Sequence, residues 1–237
     1  MKPLAKKAYG SIPHLPGSRL GTGEYCITEG QAKIATERPR DEYDRIIVQE
    51  KLDGSNVAVA KKEGKIIALN RAGYLASSSK YRQHVVFDAF VRMNELRFSE
   101  LLNEGERVCG EWLMQAHGTI YKLSHEPFVP FDIMRDDQRV LTDEVYDRVR
   151  VYDFTPPNII NDGKPMSIES AIAALNESGH GAVDSVEGAI WRIERKNKVE
   201  FLAKYVKHDK IDGQYLPEVT GHSEIWNMPL TPYAFSK

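Results

Sequence analysis

Val48-Gln-Glu-Lys-Leu-Asp-Gly-Ser-Asn-Val-Ala-Val59 sets an apolar, strand-like run against a turn, with Lys51 at the junction. A lysine at the end of an apolar strand is open to partial desolvation, which favours the neutral amine that a nucleophile needs. Gly54 lets backbone approach a ligand closely. The plain alternative is a surface hairpin, with Lys51 a solvated charge and Asp53-Gly54 its turn. Lys-x-Asp-Gly is too short to choose between them, so the surrounding chain must.

Outward from this stretch the pattern is β-like. Ile46, Ile47 and Val48 lead into it, Asn56–Ala60 continues it, and Lys65–Asn70 follows after Lys-Lys-Glu-Gly. Glu63-Gly64 predicts a hairpin turn between the last two runs. Val86, Phe90, Met93 and Leu101, at roughly helical spacing, predict one helix over 82–103. Strands are expected again at 107–114, 128–134, 188–195 and 199–207. Thr142 and Ser167, each followed by acidic residues, are expected to N-cap helices over 142–149 and 167–177. Residues 10–30, rich in Gly, Pro and Ser, and residues 178–184 read as loops. Antiparallel pairs with interspersed helices predict an α+β fold.

Composition narrows the function. The 237 residues carry 32 Lys+Arg against 34 Asp+Glu, a formal charge of −2, which argues against a protein that coats nucleic acid through bulk positive charge. A local basic groove is compatible with that average. The apolar runs are far shorter than the ~18 residues of a membrane span. The start, Met-Lys-Pro-Leu-Ala-Lys-Lys, lacks the apolar stretch of a secretory signal. A cytoplasmic protein with no membrane partner is therefore expected. The two cysteines, Cys26 and Cys109, form no Cys-x-x-Cys pair, which excludes a disulfide framework and a thiolate zinc site.

Five further short patterns follow Lys51-Leu-Asp-Gly-Ser-Asn56 in a fixed order: Arg71-Ala-Gly73, Gly110-Glu-Trp112, the aromatic strand Phe128-Val-Pro-Phe-Asp-Ile-Met134, Glu187-Gly-Ala-Ile-Trp-Arg192, and Phe201-Leu-Ala-Lys-Tyr-Val-Lys207. Each is common alone, but the ordered set resembles the covalent nucleotidyltransferases, a superfamily of ATP-dependent polynucleotide ligases and mRNA capping enzymes. Within it the chain is most similar to the ATP-dependent RNA ligases. The resemblance spans Glu50 to Lys207 and implies an ATP-grasp-like ligase catalytic fold: two antiparallel sheets with flanking helices and a nucleotide in the cleft between them. Residues 1–237 would then form a single nucleotidyltransferase domain, with 208–237 a short C-terminal tail too small for the usual appended OB-fold domain.

The resemblance also implies roles. Lys51 would attack the α-phosphate of ATP and become a lysyl–AMP. The AMP would pass to a 5′-phosphate on RNA, and a 3′-OH would then close the strand. Lysine's ordinary pKa near 10.4 must fall for that attack, and burial, nearby Lys204 and Lys207, and bound Mg²⁺ or Mn²⁺ would all lower it. Glu187 maps to a divalent-metal contact, with Asp53 a second candidate, although Asp53 also suits a turn former. Glu111 maps to the ribose, Arg71 to ribose or phosphate, and Arg192 to a basic position after Glu-Gly.

Phe131 resembles the residue that stacks on adenine, with Phe128 a rival. Glu50 would accept a hydrogen bond from adenine's amine, and Asn56 would contact the nucleotide. Lys204 and Lys207 would hold phosphates. The family spaces these lysines as Lys-x-Lys, whereas residues three apart on a regular strand face opposite ways. Either a bulge re-aims one of them or a single lysine, with Lys204 favoured, reaches phosphate.

A basic rim of Lys80, Arg82, Lys122, Lys207 and Lys210 is expected to hold RNA. A kinase–phosphatase that heals the RNA ends is a partner implied by analogy alone. No histidine pair has helical metal-ligand spacing, although His117 follows Glu111 closely enough to lie near the site. Gly21-Thr-Gly23 lacks the context of a dinucleotide fingerprint, and Asn176-Glu-Ser178 reads as a chance sequon. The rival readings are a small DNA ligase, a GTP-using capping enzyme and a degenerate nucleotide-binding module.

Overall fold

The computed structural model describes residues 2–175 and 178–230. Its helices are α1 (Glu29–Thr36), α2 (Arg82–Met93), α3 (Glu95–Leu101), α4 (Thr142–Val151), α5 (Ile168–Ala174) and α6 (Pro217–Thr220). Its strands are β1 (Asp44–Lys51), β2 (Ser55–Lys62), β3 (Lys65–Asn70), β4 (Glu106–Trp112), β5 (Phe128–Arg135), β6 (Gln138–Arg139), β7 (Ile159–Gly163), β8 (Gly188–Arg195) and β9 (Lys198–Val206). They form two antiparallel sheets, ordered β7-β1-β8-β9 and β3-β2-β4-β5-β6. This is the expected α+β architecture.

Alternation along the strands decides what each sheet buries. Val57, Val59, Val108 and Ile133 pack with Phe87, Phe90 and Phe98 from α2 and α3. On the opposite face of the same sheet, Ala58, Ala60, Leu69 and Cys109 lie against Ala8 and Tyr9. In the first sheet Ile46, Val48, Trp191 and Ile193 pack with Ala35, Ala171 and Leu175. A buried polar network joins the two sheets. Arg192 of β8 donates to Asp132 of β5 at 2.5 Å, to Glu194 at 2.9 Å and to the Val140 carbonyl.

Several expectations change. The helix over 82–103 is two helices, broken at Asn94 (φ −112°, ψ 22°), whose side chain donates to the Phe90 carbonyl and accepts from Arg97. Thr142 does not cap α4: Leu141 holds the cap position, while the Thr142 backbone N–H and hydroxyl both donate to buried Glu194. Ser167 does cap α5, accepting from Ser170 N–H, and that helix stops at Ala174. Residues 176–177 of the expected helix, and with them the first two residues of the sequon, lie outside the described residues. The loop expected over 10–30 contains the start of α1. Thr28 and Gln31 close a capping box there, a signature visible in the sequence.

Two segments outside the sheets complete the frame. Lys204 N–H donates to the Pro13 carbonyl at 2.9 Å and Leu15 N–H to the Lys204 carbonyl at 2.8 Å, so residues 13–15 cover the edge of β9. The expected tail, as far as residue 230, is docked. Ala116 N–H donates to Ile225, Asn227 N–H to Met114 and Tyr215 N–H to His117, while Trp226, Met228 and Leu230 pack on the α2 core. Residues 231–237 of that tail lie outside the described residues. No described helix is long and apolar enough to cross a membrane.

Candidate active site

The two sheets enclose a cleft of about 490 Å³, lined among others by Lys51, Asn56, Glu111, Glu187 and Lys204. Lys51 is the last residue of β1 and pairs in register with Gly188, the first of β8. That pairing brings Glu187 to the lysine, and the two form an ion pair with side chains 19% and 11% exposed. Burial pushes the Lys51 pKa down, but Glu187, Glu111 and Asp53 outweigh it and the net shift is upward. This reverses the lowering expected from the sequence: without ligand, the surrounding carboxylates hold Lys51 as an ammonium.

Glu111 lies on β4, directly across from Asn56 on β2. It accepts from Gly54 N–H at 3.1 Å, so it braces the turn after the lysine. A side chain at Gly54 would place its Cβ 2.6 Å from the Trp112 carbonyl, which explains the glycine. Burial, aided by Glu187 and Asp53 and opposed by Lys51, pushes the Glu111 pKa up to about 8. Asn56 Oδ1 is buried with no hydrogen-bond partner among the described residues, an acceptor left open in the cleft wall. Asp53 accepts from the Thr119 hydroxyl at 3.2 Å, and its N–H donates to the Tyr121 hydroxyl at 3.0 Å. Lys210 backs this arrangement, donating to Thr119 Oγ1 at 2.7 Å and to the carbonyls of Gly118 and Ser185 at 2.9 Å.

Arg71 and Phe131 line the cleft near Tyr9. Arg71 is exposed and donates to the Ser11 hydroxyl at 3.0 Å. Phe131 meets Tyr9 edge to face at 5.1 Å, whereas its rival Phe128 is fully buried in the core. Glu50 lies in the inner wall, 2% exposed, and accepts from the Ser178 hydroxyl and from Gly179 N–H at 2.9 Å. These bonds tie it to the loop 178–179.

Other predicted residues lie elsewhere. Arg192 is 3% exposed and is absorbed in the inter-sheet network. Lys207 lies beyond the end of β9, 3.6 Å from Asp209, and does not line the cleft. Lys204 does line it, without any bulge between the two lysines. Lys210, expected on a basic rim, is 6% exposed; Lys80, Arg82 and Lys122 are exposed. His117 faces Gln83 at 2.9 Å outside the cleft lining, and burial holds its pKa down at about 4.

No three His, Cys, Asp or Glu side chains among the described residues are grouped to hold a metal ion. The donor chemistry still fits a hard cation, because Glu187 pairs with Lys51 and the charges of Glu111 and Asp53 act on the same ammonium. The sequence reading missed Tyr9, His14, Glu24, His84 and Thr119. Of these only Tyr9, adjoining Gly10, lay beside a recognisable loop start; the others reach the site through long-range contacts.

The RNA ligase family model matches residues 44–206. Among curated proteins nothing matches. An archaeal ATP-dependent RNA ligase is similar in fold at 17% identity, with a TM-score of 0.50 over 84% of this chain and 48% of that one. A Naegleria gruberi RNA ligase solved with PPi gives 18% identity and a TM-score of 0.52 over 84% of this chain and 59% of that one. The chain thus spans roughly half the length of the solved structures it matches.

Proposed function

Because the chain belongs to the RNA ligase family, we propose that it is an ATP-dependent RNA ligase. Lys51 Nζ attacks the α-phosphorus of ATP, the bond to the β-phosphate breaks, and pyrophosphate leaves as the lysyl–AMP forms. The AMP then passes to an RNA 5′-phosphate. An RNA 3′-OH displaces AMP from that end and a phosphodiester results.

The observation that carries this reading is the placing of Lys51 beside Glu187 and Glu111 in a cleft that also presents Lys204. The nucleophile must lose a proton that the carboxylates now hold on it, so drawing Glu187 away from Lys51 favours reaction. Lys204 meets charge on the phosphates. Asn56 Oδ1 offers an unused acceptor to the nucleotide. Phe131 and Tyr9 offer apolar surface to the base, and Arg71 stands at the rim for ribose or phosphate. Glu111 holds the turn that presents Lys51, with its second oxygen available to a ribose hydroxyl.

A bound Mg²⁺ or Mn²⁺ would neutralise phosphate charge, with Glu187 the carboxylate best placed to hold it and Asp53 already engaged by Thr119. A Naegleria gruberi RNA ligase solved with AMP and Mn supports this pairing of nucleotide and cation. RNA ends bearing 5′-phosphate and 3′-OH are the matching substrates, supplied where needed by a separate kinase–phosphatase activity.

The test is incubation with Mg²⁺ or Mn²⁺ and ATP or GTP labelled at the α-phosphate, followed by a denaturing gel. Label from ATP should stay on the protein and vanish in Lys51→Ala. Label from GTP alone would point to capping chemistry, and no label with either metal would sink catalysis by Lys51. Nicked and single-stranded RNA and DNA then assign the polynucleotide.

A further inference from the structure

Residues 13–24 run beside the phosphate-facing side of the proposed site. Arg19 N–H donates to the Val206 carbonyl at 3.1 Å, and Val206 N–H donates to Ser18 Oγ at 2.9 Å. One row across the sheet therefore runs Lys51, Gly188, Val206 and Arg19; the next row on the same face, two residues along, runs Gln49, Ile190, Lys204 and His14. The Glu24 carboxylate closes the end of this second row. One oxygen lies 2.6 Å from Lys204 Nζ. The other lies 2.7 Å from Gly21 N and 2.9 Å from His14 Nε2.

His14 is 1% exposed, and its Nδ1 lies 2.6 Å from Ser18 Oγ. With that hydroxyl donating to Nδ1, the ring proton sits on Nε2 and faces Glu24. The contact is out of line for a hydrogen bond, so a buried donor is left without a well-formed partner. An ammonium, an imidazole N–H and a backbone N–H converge here on one anion, and that anion belongs to the chain itself.

The segment that supplies it is built to move. Residues 20–24 are exposed, and Gly17 and Gly23 adopt positive φ (80° and 77°), where glycine bends without strain. Within 20–24 the backbone makes the hydrogen bond Glu24 N–H to Gly21 carbonyl, at 3.2 Å. Arg19 adds a second cation: its Nη2 pairs with exposed Asp212 at 2.5 Å, and its buried Nε has no partner among the described residues.

We propose that Glu24 is an internal stand-in for phosphate. In the free protein it fills the anion site of Lys204, His14 and Gly21. A polyphosphate entering the cleft displaces it, takes Lys204 and His14 as ligands, and releases residues 20–24. The inference rests on reading the cleft as a nucleotide site, and it assigns His14 and Glu24 to the phosphate end. Binding then competes with an intramolecular carboxylate, so apparent affinity is reduced by the fraction of molecules in which Glu24 has left.

The experiment uses the full chain and inorganic pyrophosphate, titrated by calorimetry into wild type and Glu24→Gln, with amide hydrogen exchange followed in the wild type. Glu24→Gln should bind pyrophosphate roughly tenfold more tightly, the factor set by a carboxylate in place about nine-tenths of the time. Pyrophosphate should speed exchange at residues 20–24 of the wild type, an effect that removal of a distant repulsive charge would not produce. Equal or weaker binding by Glu24→Gln overturns the inference, as does unchanged or slower exchange at 20–24. Pyrophosphate binding needs no transfer of AMP, so failure of Lys51 to take up label would count against the ligase reading alone.

Discussion

Lys51 and Glu187, 136 positions apart in the sequence, form an ion pair because Lys51 and Gly188 are register partners across β1 and β8. The site is thus a property of strand pairing: the lysine ends one strand and its carboxylate partner immediately precedes the next. Whatever disturbs that register separates the two charges.

Gly188→Ala tests this relationship. A Cβ at position 188 would lie 1.8 Å from the Tyr205 carbonyl oxygen, so β8 and β9 must part at the site. The expected cost is about 2–4 kcal/mol in urea unfolding, with retention of label from ATP falling at least as far as in Glu187→Ala.

Glu111 should make stability depend on pH when no divalent cation is present. Its carboxyl titrates near 8 in the folded protein, against about 4.3 when unfolded. Between those values the folded state binds the extra proton, so stability falls as pH rises from about 4.5 to about 8. Thermal unfolding of wild type against Glu111→Gln should show a difference that grows over this window. A difference of roughly 1–3 kcal/mol is expected, because the half-buried position screens part of the shift.

Arg192→Met should destabilise without touching the chemistry directly. It leaves Asp132 and Glu194 buried and short of their shared cation. Breaking a buried network in this way costs about 3–5 kcal/mol. At temperatures where the variant stays folded, labelling of Lys51 should persist, as measured on the denaturing gel. Loss of label in a fully folded Arg192→Met would instead assign this arginine to the nucleotide.

Lys210→Met probes the docked C-terminal segment. The ammonium satisfies the Gly118 and Ser185 carbonyls and Thr119 Oγ1, and through Thr119 it steadies Asp53. A loss of about 1–3 kcal/mol is expected from the acceptors left behind, read by denaturant unfolding, together with slower uptake of label at Lys51.

Local chemistry was legible where it depends on neighbours in the chain. The turn after Lys51, the hairpin at Glu63-Gly64 and the Ser167 cap are set by residues within a few positions, and all three form as read. The break at Asn94 escaped periodicity because a single side chain bonding back to Phe90 interrupts an otherwise helical stripe. β7 carries little apolar pattern of its own and is ordered by pairing with β1.

Sequence alone determined that a lysine would stand where an apolar strand meets a turn, and that carboxylates and a lysine-bearing strand would follow in order. Alternation restricts each strand residue to one of two faces, so Lys204 and Lys207 could not both face the cleft from a regular strand. Only the tertiary structure decided which charges the cleft keeps. Arg192 is consumed by Asp132, Lys210 by the 118–119 backbone and hydroxyl, and Lys204 is met by Glu24 from the far end of the chain. The physical reason is that a charge's role depends on the partners that desolvate and pair it, and those partners come from distant segments that no local pattern specifies.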